Sequence, residues 1–145
     1  MMIIKKFIFV LLLVQSLALV SSEAMSHPLL HAAFNGNLNY IQNYEGNINE
    51  VVDSEGRSAL LLAVCNEQRG AIRVLVRLGA NLNHVLKDGT SILDEAFSKP
   101  SIFDILREEF DAKSASEMSR EEREQRLQNT LYLIKQQDYL RGSHD

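Results

Sequence analysis

Apolar residues cluster along the chain in short bursts at helical spacing. In the middle, Leu60, Leu61, Ala63 and Val64 form one burst, and Ala71, Ile72, Leu75, Val76 and Leu78 form a second. The polar stretch from Glu67 to Gly70 separates them. The spacing predicts two short helices joined by a turn. Ser58 can cap the first, Leu60 to Cys65, and Gly79 can end the second. The pattern repeats. Gly56-Arg57-Ser58-Ala59-Leu60-Leu61-Leu62-Ala63-Val64 returns 33 residues later as Gly89-Thr90-Ser91-Ile92-Leu93-Asp94-Glu95-Ala96-Phe97. A looser copy, Pro28-Leu29-Leu30-His31-Ala32-Ala33, lies upstream. A period near 33 predicts stacked units, each too small to bury its own apolar face.

The first unit reads as Leu29 to Asn35, a turn at Gly36-Asn37, then Leu38, Ile41 and Tyr44. The third opens with Leu93, Ala96 and Phe97, turns at Pro100, and closes with Ile102, Phe103, Ile105 and Leu106. Asp53-Ser54-Glu55-Gly56 and Lys87-Asp88-Gly89 are turn signals between units. Beyond Phe110 the composition changes. Residues 111–118 are small and polar and predict a linker. Ser119-Arg120-Glu121-Glu122 is a capping box that should start a helix in 119–145. Leu127, Leu131 and Ile134 fall on one face, and Tyr132, Leu133, Tyr139 and Leu140 make its far end apolar nearly all round. Such a helix should be buried, and covering the open end of the third unit is the expected place.

The first 24 residues predict something other than fold. Lys5 and Lys6 precede an apolar run from Phe7 to Val20, and Ser22 and Ala24 stand at −3 and −1 for cleavage before Met25. This resembles a secretory signal peptide. A helix over that run would cover only roughly 21 Å of a ~30 Å hydrocarbon core, so no stable membrane insertion is expected after cleavage. Met25 is also a candidate internal start. Lys5, Lys6 and Glu23 leave with the leader, so the remainder holds 13 basic and 18 acidic residues, a net charge of −5. That balance argues against nucleic acid as a partner. Cys65 is the sole cysteine, so no internal disulfide can form.

The repeated residues resemble the ankyrin repeat. Pro28-Leu29, Ala32-Ala33 and Gly36 match its opening, Leu60 and Ala63 match it again, and Gly79-Ala80-Asn81-Leu82-Asn83 matches its Gly-Ala-Asp-x-Asn segment. The resemblance covers about residues 26 to 110, within the segment 25–110. It implies an all-α fold: a short ankyrin-repeat solenoid of about three helix-turn-helix units with hairpin loops, plus a C-terminal capping helix. Two departures stand out. Leu30, Leu61 and Asp94 occupy the family's histidine position, and Leu86 replaces the hairpin aspartate kept at Asp53.

The sequence offers no catalytic constellation. His27, His31, His84 and His144 lack metal-ligand spacing, and Cys65 has no basic neighbour in sequence to activate it. A non-catalytic chain without cofactors or metal is expected. The resemblance instead implies a concave groove lined by hairpin tips and first helices. Carried across by position, its candidate partner-binding residues are Ser54, Glu55 and Arg57, then Lys87, Asp88 and Thr90, on the tips. On the helices they are Phe34 and Asn35, then Asn66, then Ser98 and Lys99. Phe34 is the expected aromatic anchor. The expected function is an exported protein–protein interaction module, periplasmic or secreted, acting as a monomer on a protein partner. Look-alike periplasmic proteins imply an immunity or inhibitor role against a secreted effector. A host-directed effector and a catalase-associated stress accessory are the alternatives.

Overall fold

The computed structural model describes residues 27–142; the expected leader lies outside them. Among the described residues seven α-helices follow one another: α1 (Pro28–Asn35), α2 (Leu38–Gln42), α3 (Ala59–Cys65), α4 (Arg69–Arg77), α5 (Ile92–Glu95), α6 (Pro100–Asp104) and α7 (Arg120–Gly142). A 3-10 turn, Ala96–Ser98, extends α5, and a π-helical turn, Ile105–Glu109, extends α6. The only strand-like pairing among the described residues is two isolated antiparallel bridges, Val52 with Ser58 and Val85 with Ser91. The fold is all-α.

Three helix pairs stack side by side, with α3 packed against α1 and α5 against α3. Each first helix starts from a side-chain cap: His27 Nδ1 accepts from Leu29 N, Ser58 Oγ from Leu61 N, and Ser91 Oγ from Asp94 N. The turns inside the first two pairs match. Asn37 N donates to Ala32 O at 2.8 Å and Gln68 N to Ala63 O at 2.8 Å, each after a left-handed residue, Gly36 or Glu67. The loops between pairs match as well. Asp53 N donates to Arg57 O and Leu86 N to Thr90 O, with Gly56 and Gly89 closing the turns at positive φ. Pro100, predicted in a turn, is instead the first residue of α6, where its missing N–H costs nothing. Leu29, Leu60, Ile72, Leu75, Leu93 and Leu106 lie in one continuous core.

Residues 111–118 are not a free linker. Ala112 N donates to Leu106 O as Ala80 N donates to Leu75 O, both at 2.9 Å. Asp111 takes the left-handed conformation that Gly79 takes one pair earlier. Lys113 N donates to Asn83 Oδ1, just as Asn81 N donates to Asn49 Oδ1. This stretch is therefore the connection belonging to the third pair, in the geometry of the second. Ala112 and Met118 are buried, and Arg107 pairs with Glu117 at 2.5 Å.

The last helix also departs from expectation: α7 does not cover the end of the third pair. It crosses the two inter-pair connections. Arg126 reaches Asn81 Oδ1, Thr130 Oγ1 donates to Val85 O at 2.5 Å, and Gln137 Nε2 donates to Glu50 O. Its buried residues are Thr130 and Leu133, while Leu131 is exposed. The reason lies in what it faces. The connections present carbonyl oxygens and Gly56, and a threonine both fits against bare backbone and satisfies a carbonyl. The capping box is half-made: Glu122 N donates to Ser119 Oγ, while the Glu122 carboxylate holds Arg126.

Candidate functional site

The surface to which the expected site residues belong is built from two loops and three helix ends. In the first loop the Asp53 carboxylate, 1% exposed, accepts from Glu55 N, Arg57 N and Arg57 Nε. These bonds fix the tip Ser54-Glu55 and turn Arg57 back along the loop at 2.6 Å. In the second loop Leu86 is buried instead, and Asp88 does the ordering by accepting from Thr90 N and Thr90 Oγ1. The Thr90 hydroxyl is the foremost cause, and its amide the next, of an Asp88 carboxyl held below its usual range. Lys87 Nζ joins the two loops through Glu55 at 2.8 Å, with both side chains about half exposed.

The helix ends form the other wall. Asn66 Nδ2 donates to Phe34 O at 2.7 Å, and Gln68 Nε2 reaches the same carbonyl at 3.3 Å. Asn35 Nδ2 binds His31 Nδ1 and His31 O within its own helix. Ser98 is exposed at the end of the third first-helix, and Lys99 is half-buried beside it. Cys65 reports on how these parts face one another. Burial foremost, and then the Glu95 carboxylate, push its thiol up; Lys99 and Arg57 act in the opposite direction. Arg57 from a loop and Lys99 from a helix end thus both act on the Cys65 thiol. A thiol raised in this way is poorly nucleophilic.

Phe34 does not stand out into solvent as expected. Its ring is half-buried and packs against the core, so it is not an exposed anchor. The physical reason is the α3 end standing over it, with Asn66 and Gln68 clamping its carbonyl. Phe97, at the end of the third first-helix, does face solvent, 81% exposed, and meets Phe103 edge-on at 6.4 Å. Its place was legible: it sits six residues after the Ser91 cap, where Val64 stands six after Ser58. The remaining expected residues are brought into two groups. Glu55, Lys87, Asp88, Thr90 and the backbone around Ser54 form the tips; Asn35, Asn66, Ser98 and Lys99 form the helix row.

On the far side of the loops, α7 braces them. A Cβ on Gly56 would lie 2.6 Å from Thr130 Cγ2 and 3.2 Å from Ile134 Cδ1. Gly56 is also at φ +79°, where a side chain is strained. His84, 5% exposed, sits under the helix with Nε2 2.6 Å from Gly56 O. A ring nitrogen facing a carbonyl must donate, so the neutral ring carries its proton on Nε2. Burial foremost holds the His84 pKa below its usual value; the Gly56 carbonyl acts upward, Arg126 downward and Asp53 upward. Asn81, His84, Glu122, Gln125, Arg126 and Asn129 line a polar cleft between the second connection and α7. Among the described residues no helix is long and apolar enough to cross a membrane. The chain matches no protein-family model, no curated protein and no solved structure, so its functional reading rests on its own geometry.

Proposed function

We propose that this chain is an ankyrin-type, non-catalytic binding module that grips a protein partner in the space between the loop tips and the first-helix ends. One observation carries the reading. Two loops 33 residues apart take the same backbone form and are joined by Lys87–Glu55, and the first-helix ends recur at a similar period. Repeats of this kind present a fixed surface, so little ordering free energy is lost on binding. The bracing of both loops by α7 adds to that rigidity. The leader-like first 24 residues support an exported site of action, periplasmic or secreted. There a rigid groove suits an inhibitor or immunity protein that works by covering a partner's active site.

The test is capture from the exported fraction with the chain as bait, followed by titration of the identified partner. Lys87→Glu and Ser98→Arg alter exposed groove positions without touching the core. Each should weaken binding by about tenfold or more. Unchanged affinity in both would place the partner elsewhere and end this reading.

A further inference from the structure

The helix pairs make two internal interfaces of one kind, and a third face of that kind is left uncovered. Three and six residues after their caps, the first helices carry Leu30 and Ala33, Leu61 and Val64, and Asp94 and Phe97. The first two sets are buried as α3 packs on α1 and α5 on α3; Val64 is 0% exposed. In the third set Asp94 is occupied, accepting from Ser91 N, Ser91 Oγ and Ala115 N. Phe97 is left standing out, with Phe103 beside it. The chain continues into a third connection and then turns α7 away across the loops, so among the described residues no helix takes the place of a fourth pair on Phe97.

The face such an interface needs on its other side is also present. Eight and ten residues after the Ser58 cap, the amides of Asn66 and Gln68 clamp the carbonyl of the preceding helix end. Eight and ten residues after the His27 cap stand Asn35 and Asn37, again amides; here Asn35 Nδ2 turns back to His31 and Asn37 Oδ1 accepts from Tyr40 N, so a neighbour would have to draw them outward. They border a hollow of about 420 Å³ with His31 and Tyr40. We infer that two copies of this chain associate head to tail, Phe97 and Phe103 of one copy seating on the α1–α2 face of the next. The contact continues the interface already made twice inside the molecule. Because the two surfaces differ, it is a heterologous contact that can propagate into short chains of molecules. It shares Asn35 with the helix row of the proposed groove, but its test reads self-association and not capture of a partner, and it stands against the expectation of a monomer.

The experiment is sedimentation velocity on the protein as recovered from the cell, over a concentration series. The wild type should show a weight-average sedimentation coefficient that rises with concentration. Phe97→Ser and Asn35→Arg should each weaken self-association by at least about tenfold. Because Phe97 is exposed, its variant should keep the wild-type circular dichroism and melting temperature. Mixing the two variants is the decisive arm. Each retains one intact surface, so together they should form a 1:1 pair that grows no further. A wild type that stays monomeric throughout, a Phe97→Ser chain that associates as strongly as wild type, or variants that do not pair would each overturn the inference.

Discussion

The middle and third helix pairs begin alike and diverge within one turn. Both start from a serine cap, and both carry an alanine five residues on that is buried against the second helix. In α3 every residue from Ala59 to Val64 is buried, because a helix pair lies on each side. In the third pair the α-helix lasts only from Ile92 to Glu95 before tightening into a 3-10 turn. Where the middle pair has Leu61, the third has Asp94 in a complete capping box. Where the middle has Val64, the third has exposed Phe97. A position's chemistry here follows from what stands beside it: neighbours on both sides demand apolar residues, and an end position tolerates a carboxylate once its oxygens have donors.

The strongest way to break this contrast is to give the middle pair the third pair's residue. Leu61→Asp buries a carboxylate between two packed pairs, and denaturant unfolding should show a loss of about 4 kcal/mol or failure to fold. Asp94→Leu, the reverse change, should cost only about 1 kcal/mol, the value of the lost cap. Gly56→Ala comes next, combining a strained left-handed residue with a clash against Thr130. It should cost about 2–3 kcal/mol by the same measurement, whereas Gly89→Ala, with nothing near its Cβ, should cost about 1. Thr130→Val keeps the shape and removes the donor to Val85 O, for a loss of about 1 kcal/mol or slightly more.

A smaller effect concerns pH. His84 is held neutral in the folded chain, so its folded pKa lies below the unfolded value of 6.5. Above that value neither state binds the proton and the group is silent. As pH falls below 6.5 the unfolded chain takes up the proton first, so stability declines until the folded pKa is reached. The urea midpoint should therefore fall more between pH 7.5 and 5.5 in the wild type than in His84→Gln. A separate decline, from the Arg107–Glu117 pair, belongs to lower pH. The Arg107 guanidinium holds the Glu117 carboxyl down to about 2, so that contribution is present above about 4.5 and is lost on acidification through that interval.

What the sequence made legible were features written in side chains at fixed spacing. The caps Ser58 and Ser91, the stop at Gly79 and the two loop tips all follow from residue type and period. What it concealed were features written in backbone. The third connection looked like a linker because Asp111 stands where Gly79 stands one pair earlier, and because its anchors are amide N–H groups, which every residue has. The path of α7 was hidden likewise: its partners are the carbonyls of Val85 and Glu50 and the bare Cα of Gly56. Hydrophobic pattern favoured a face through Leu131, while the surface below called for Thr130. Phe34 was misplaced because its ring packs onto the core, while Asn66 and Gln68 of the following pair hold its carbonyl.

α7 braces the loops in place of sealing the end of the third pair. Amide hydrogen exchange in Thr130→Arg, read residue by residue against wild type, tests it most directly. The loop amides of Asp53, Gly56, Leu86 and Gly89, each bonded within its loop, should exchange faster while those of α5 and α6 keep their protection. Loosening confined to α5 and α6, with the loop amides unchanged, would contradict it.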